Sequence, residues 1–408
     1  MSCFFAADIL LPQGVDLTKW AVIACDQFSA EPAYWRGVEE TVGGAPSSLR
    51  LIFPEAALKD EPEKRIRAIN AAMAAYQAAG LFTCYPESFV SVERTLSDGT
   101  LRRGLVGRLD LERYEYSAES SAPVRATERT VLERIPPRVK IREGASLELP
   151  HVLLLCDDEE DTVLAPVEGG EPLYDFDLMA GGGHIRGTLL RGAAADEIAR
   201  RISAYERRQT ARCAALGEEP LLYAVGDGNH SLATAKTCYE RLKAELGAEA
   251  AARHPARWAL VELENLHDPS QRFEPIHRLV LGADAPALLN ALEAELGAAE
   301  GAALPWFSGE KRGVVTLDVS SGRLPVDLLQ SFLDRWLASH SGELDYIHGE
   351  ESLRSLAAEE GRLGFLLPGI EKNAFFQGIM RGGVLPRKTF SMGRARDKRY
   401  YLEARKIV

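Results

Sequence analysis

Two apolar periods divide the chain. Between Glu61 and Ala79, Ile66, Ile69, Met73 and Tyr76 recur at steps of three and four, with Pro62 near the start and Gly80 after the end. That spacing predicts an amphipathic helix. A second helix is predicted over Ala194 to Leu216, where Ile198, Ile202 and Tyr205 share a face. Alternation takes over in Phe89 to Thr95 and Leu101 to Leu109, which flank Ser97-Asp98-Gly99 as a hairpin would. A further hairpin is predicted for Leu173 to Leu178 and His184 to Leu190 around Gly181-Gly182-Gly183, a flexible turn or a loop able to close over a ligand. Short apolar runs at Phe4 to Leu11, Ala21 to Cys25, Val152 to Cys156, Thr162 to Val167, Leu221 to Val225 and Trp258 to Leu263 read as buried strands.

Beyond Pro269 the rhythm becomes strand, helix, strand, helix, over Ile276 to Leu281, Ala285 to Leu296, Gly313 to Val319 and Pro325 to Ser339. The pattern predicts an α/β to α+β fold: a mixed sheet with flanking helices in residues 1–268, carrying hairpin insertions, and a second, C-terminal α/β domain in 269–408. The strands at 221–225 and 258–263, joined through a helix, are expected in one sheet as a crossover unit. That would set Asn265 and His267 on the same rim as Asp227.

Composition narrows the chemistry. The 408 residues are 46% hydrophobic and 26% charged, an ordinary globular balance, and the formal charge is −12. An acidic chain argues against a broad nucleic-acid face, though a small anion pocket is compatible with it. The six cysteines form no Cys-x-x-Cys pair, so reduced thiols in a cytoplasmic protein are expected, without zinc. Asp8 interrupts the first apolar stretch and no basic region precedes it, unlike a signal peptide. No run approaches a membrane span. The expected partner is a small molecule, with neither nucleic acid nor membrane.

The densest set of small and reactive side chains is Gly226-Asp227-Gly228-Asn229-His230-Ser231, between a predicted strand and a helix continuing to about Leu246. The glycines permit a sharp turn, and Asp227, Asn229 or Ser231 suits a helix cap. A helix start there is a natural anion site. The same residues equally make a plain strand-to-helix turn. Elsewhere, Asp26 follows a strand end, where a turn aspartate and a catalytic one look alike. Asp157-Asp158-Glu159-Glu160-Asp161 reads as a solvated hairpin loop rather than a cation site, lacking the interleaved spacing of a calcium loop. Arg381, Arg387, Lys388, Arg394, Arg396, Lys398 and Arg399 make a locally basic stretch, which as a folded-back tail would bring Lys388 to a phosphate.

Five ordered motifs carry a resemblance. Asp227-Gly228-Asn229-His230-Ser231-Leu232-Ala233-Thr234-Ala235 resembles the Asp-Gly-His-His-Arg signature of a bacterial and archaeal domain-of-unknown-function family of about this length. Arg125 to Thr130 resembles its His-Glu-x-Thr segment, Pro275-Ile276-His277-Arg278 its Pro-Thr-His-Arg, Tyr346-Ile347-His348-Gly349 its Tyr-x-His, and Gly383 to Phe390 its Met-Pro-x-Lys-Ser-Thr stretch. Asp26 stands where that family has Pro-Tyr-Asp-Val. The turn is also similar to the phosphate-binding motif of the ParB-like superfamily, which includes nucleotide-binding switches and free serine kinases.

The resemblance implies a phosphotransferase binding ATP or ADP with Mg²⁺, or a phosphorylated metabolite such as phosphoserine, in residues 1–268. Asp26, Asp227 and His230 would be catalytic. Gly228, Asn229, Ser231, Glu128, His277, Arg278, His348 and Lys388 would bind substrate or phosphate, and Glu128 equally suits an ion pair with Arg125 or Arg129. Asn229 and Ser231 depart from the signature's His and Arg, which removes a fork-shaped phosphate donor. A non-catalytic nucleotide-binding module and a metal-assisted hydrolase are the alternatives.

Overall fold

The computed structural model describes residues 2–58, 61–130, 132–386 and 388–408, leaving aside the side chains of Arg134 and Ser391. Arg387, counted above in the basic stretch, lies outside the described residues. The chain divides into two compact units: Met1–Ala126 with Thr130–Gln271 and Arg394–Val408, and Thr127–Arg129 with Arg272–Gly393.

The first unit is built on a mixed 11-stranded sheet. Its central strands run in the order Phe82–Thr95, Leu101–Asp110, Trp258–Asn265, Val152–Cys156, Tyr223–Asp227 and Val124–Ala126. The hairpins expected from alternation form, with Glu171–Asp177 paired to His184–Leu190. Helices Pro62–Ala78, Ala193–Ala215 and Asn229–Leu246 follow the predicted spacing closely. Val152–Cys156 is wholly buried, as an uninterrupted apolar run should be in a central strand.

Four expectations need correction. The strands at 223–227 and 258–265 do share the sheet, but Val152–Cys156 lies between them, antiparallel to the first and parallel to the second. No crossover unit joins them, and Asp227 and Asn265 end at opposite sheet edges. Residues 162–167 form no strand. Arg394–Val408 belongs to the first unit, where Tyr400–Tyr401 pairs with Val22–Ile23 and Arg405–Lys406 with Leu147–Glu148. The triple glycine is a packed corner: a Cβ on Gly182 would lie 2.3 Å from the Tyr400 hydroxyl, and one on Gly183 2.0 Å from the Thr95 carbonyl oxygen.

The returning segment threads a buried charge lattice. Arg399 is 2% exposed and donates to Glu262 at 2.6 Å and to Glu403, while Tyr174 donates to Glu403 at 2.6 Å. Opposed charges at this depth are tolerable only when paired like this.

The second unit carries a six-stranded sheet, with Phe273–Leu281 between Glu343–His348 and Arg362–Phe365. Helix Ala285–Leu296 starts on an Asp284 cap, and Pro325–Leu337 buries Leu329, Phe332 and Leu333. Strand Gly297–Ser308 follows directly on the first of these helices, an element that the simple strand–helix rhythm omits.

Candidate functional site

The Asp227 turn is shaped by backbone. A register shift between Val225 and Asp227 bulges the strand at Gly226 before Asp227 pairs with Leu153. Gly228 then takes φ +82°, a left-handed value that glycine adopts without penalty, and helix Asn229–Leu246 begins. A Cβ at Gly228 would also lie 3.0 Å from the Val152 Cα and 3.1 Å from His151 Cδ2. Contrary to expectation, the cap position falls on Gly228, which has no side chain to offer. Asp227 Oδ1 instead accepts the Gly228 N–H at 2.9 Å, and Oδ2 lies 3.1 Å from Lys398 Nζ. The lysine of the basic stretch that meets Asp227 is therefore Lys398; Lys388 belongs to the second unit.

His151 sits just ahead of strand Val152–Cys156, beside this turn. Its Nε2 is 3.5 Å from Asp26 Oδ2, and its Nδ1 is 2.5 Å from the Tyr401 hydroxyl oxygen. That oxygen also accepts the Cys25 N–H at 3.1 Å. Burial opposes ionisation of Asp26, but the His151 charge, hydrogen bonds from His151 and Gln27, and the Lys398 ammonium outweigh it. Its carboxyl is held well below the usual carboxylate range. Burial likewise opposes the His151 imidazolium, yet the Asp26 carboxylate and the hydrogen bonds to it favour the protonated form and raise its pKa. Burial pushes the Tyr401 phenol up, so it stays protonated. The result is an Asp26–His151 ion pair braced by a neutral phenol, with Lys398 acting on both Asp26 and Asp227.

Asp26, Asp227, Gly228, Asn229, His230 and Ser231 thus belong to the first unit, and Glu128, His277, Arg278, His348 and Lys388 to the second. Within the second unit four of the resembling motifs meet. Glu128 bridges to Leu385, and its charge supports the buried Arg278 guanidinium. Arg278 donates to Gln330 Oε1 at 2.6 Å, to the Ile276 carbonyl at 2.6 Å and to the Lys388 carbonyl at 3.0 Å. Arg278 and the Lys388 ammonium lie 4.7 and 4.9 Å from the Tyr346 ring centroid. His277 is buried and its Nδ1 accepts the Leu367 N–H at 3.2 Å, whereas His348 is exposed. Arg125, weighed above as a partner of Glu128, is spent on the carbonyls of Ala122, Glu219 and Pro220.

The acidic run is solvated only in part, at Glu159 and Glu160. Asp157 and Asp158 are buried, with Asp157 held by Arg212 at 2.9 Å and His267 at 2.6 Å, and Asp158 by Arg208 at 3.1 Å. Asp157, Glu159 and His267 place ligand atoms within 4.8 Å of one another, but Arg212 already neutralises both acids. Asn265 donates to the Asp158 carbonyl at 2.9 Å. These groups fasten a sheet edge away from the Asp227 turn.

Sequence reading missed His151 and Tyr401. A lone histidine before an apolar strand carries no signal, and Tyr401 lies far along the chain from Asp26. The sheet alone shows that Val152–Cys156 and Tyr223–Asp227 are neighbours.

The family described as protein of unknown function (DUF1015) matches residues 10–402. The chain belongs to that family. No curated protein matches it in sequence. Among solved structures, it is similar to a free serine kinase in complex with AMP, at 14% identity and a TM-score of 0.38, over 74% of this chain and 91% of that one. A conserved hypothetical protein from Pyrococcus furiosus matches at 13% identity and TM-score 0.34, over 74% and 94%. SbnI from Staphylococcus aureus, with a C-terminal truncation, matches at 9% and 0.36, over 71% and 82%. Among the described residues of this DUF1015 member, no helix is long and apolar enough to cross a membrane.

Proposed function

We propose that this protein binds a nucleotide or phosphorylated small metabolite at the Asp227–Ser231 turn and transfers a phosphoryl group to or from a small hydroxylated metabolite, as a ParB-like domain of the free serine kinase kind would. The observation that carries the reading is the Lys398 ammonium acting on Asp227 and Asp26 beside the His151 ion pair. Phosphoryl transfer needs positioning and charge neutralisation above all. Lys398 supplies a cation for phosphate oxygens. Asp26, kept anionic by His151, orients an acceptor hydroxyl and takes its proton as transfer completes. Asp227 and Asp26 are hard oxygen ligands of the kind Mg²⁺ takes, though Lys398 and His151 already pair with them and Mg²⁺ would have to share or displace those partners. When bound, Mg²⁺ would supply charge neutralisation on the phosphates. Ser231 and His230 offer further donors at the helix start.

The test is thermal stability with ATP, ADP, CTP, serine and phosphoserine, with and without Mg²⁺, followed by an ADP-release assay. A ligand at 100 times its Kd stabilises by about 2.7 kcal/mol. The expected result is a nucleotide-dependent shift, lost in Lys398→Met, and turnover that requires a hydroxylated acceptor. A shift without turnover supports the non-catalytic module instead, and Mg²⁺-dependent hydrolysis without an acceptor supports the hydrolase. No shift with any nucleotide would end the reading.

A further inference from the structure

Behind His151 and Tyr401 the first unit has a cavity of about 180 Å³ that is partly open to solvent. One wall is made by the ion-pair site and the turn, through Cys25, His151, Tyr401, Ser231 and Thr234. The other is apolar: Phe53, Met73, Ile141 and Leu147. The charged side chains bordering it are already matched, Arg138 by Glu55 and Arg142 by Glu148 at 2.6 Å. Burial alone would raise the Glu148 pKa, but Arg405 and Arg142 hold it below the ordinary carboxylate value, so it stays a paired anion. The Thr234 hydroxyl is turned back to the His230 carbonyl at 2.7 Å, and the Tyr401 oxygen is taken by Cys25 and His151. Ser231, half-buried at the rim, has no hydrogen-bond partner for its hydroxyl among the described residues.

A partly open pocket with neutralised charges, a mainly apolar lining and one available hydroxyl selects an apolar occupant. A cavity of about 150 Å³ with apolar walls is large enough for benzene. We propose that this cavity receives an apolar substituent of the substrate, the size of a phenyl ring or a branched four- to five-carbon chain, with the substrate's hydroxyl at the Asp26–His151 end and within reach of Ser231. Serine, whose side chain is a single hydroxymethyl group, leaves the space empty. The substrate class is therefore a hydroxylated metabolite with an apolar arm. The placement of the hydroxyl rests on the proposed phosphotransfer, while the apolar pocket itself does not.

The experiment uses benzyl alcohol and isoamyl alcohol as probes, glycerol as the polar control, and no nucleotide. Full-length protein labelled with ¹³C in the methionine methyls is titrated with each alcohol. The Met73 methyl, on the cavity wall, is expected to shift with benzyl and isoamyl alcohol and to stay put with glycerol. Ala145→Leu, which pushes three more carbons into the cavity from its buried wall position, should weaken benzyl alcohol binding at least tenfold. Nucleotide-induced stabilisation should survive that substitution. Equal responses to glycerol and benzyl alcohol, or a Met73 methyl that ignores all three, would overturn the pocket. Should Ala145→Leu fail to fold, the wild-type methyl titration still decides. Absence of phosphotransfer would leave the titration untouched, so the two readings fail separately.

Discussion

Replacing Asp26 by Asn tests the ion pair most directly. At 3.5 Å, two unit charges interact by about 5 kcal/mol at an effective dielectric of about 20. Asp26 keeps 29% of its side chain exposed, against 10% for His151, and solvent screens part of that attraction. About 2 kcal/mol of stability is a reasonable net loss, against the 3–5 typical of a fully buried pair. At roughly 2–4 °C per kcal/mol for a body of this general size, Tm should fall by about 4–8 °C. The pH dependence carries the sharper signature. The Asp26 pKa is depressed in the fold, so its contribution is full above the unfolded value near 3.9 and is lost as pH falls through the folded one. The His151 pKa is raised, so its contribution is full below about 6.5 and is lost as pH rises through the folded value. Wild type and Asp26→Asn should thus differ most between about pH 4 and 6.5 and converge on either side. Tm measured by calorimetry from well below pH 4 to well above pH 6.5 checks this. A difference that is flat with pH, or largest at alkaline pH, would refute the pairing.

Gly228→Ala should cost about 2–4 kcal/mol, combining about 1–2 for the left-handed backbone with a 3.0 Å approach to strand backbone that cannot yield. Urea unfolding would show it, and a loss under 1 kcal/mol would mean the turn relaxes freely. Arg399→Met should cost about 3–5 kcal/mol by leaving Glu262 and Glu403 buried without their arginine. Its Tm should recover partly as pH drops and those carboxylates protonate, and a pH-independent loss would contradict the charge account.

Local structure was legible where local chemistry decides it. Asp284 and the proline that follows it mark the start of helix Ala285–Leu296 unaided, and Asp98-Gly99 announces its hairpin. The strand–turn–helix at Asp227 is equally local. Sheet order is not. The direction of Tyr223–Asp227 depends on a strand some 70 positions earlier, so nothing within the motif reveals that it runs against Val152–Cys156. The same holds for Lys398. Its run of basic neighbours reads as surface, and only the pairing of Tyr400–Tyr401 with Val22–Ile23 carries it to Asp227. For the acidic run, charge density misleads, because each buried acid has a basic partner contributed from another element.

The placement of Arg394–Val408 in the first unit has a consequence for biosynthesis. Lys398, Arg399 and Tyr401 leave the ribosome only after all of Arg272–Gly393 has been made. Until then the buried Glu262 lacks its arginine and His151 lacks its phenol. A nascent chain halted at Gln271 would hold the sheet strands but neither the bracing nor the ammonium of the site. Folding of this unit cannot finish in the order of translation, and a fragment cut at that boundary would be expected to behave as an unfinished intermediate rather than as a smaller version of the protein.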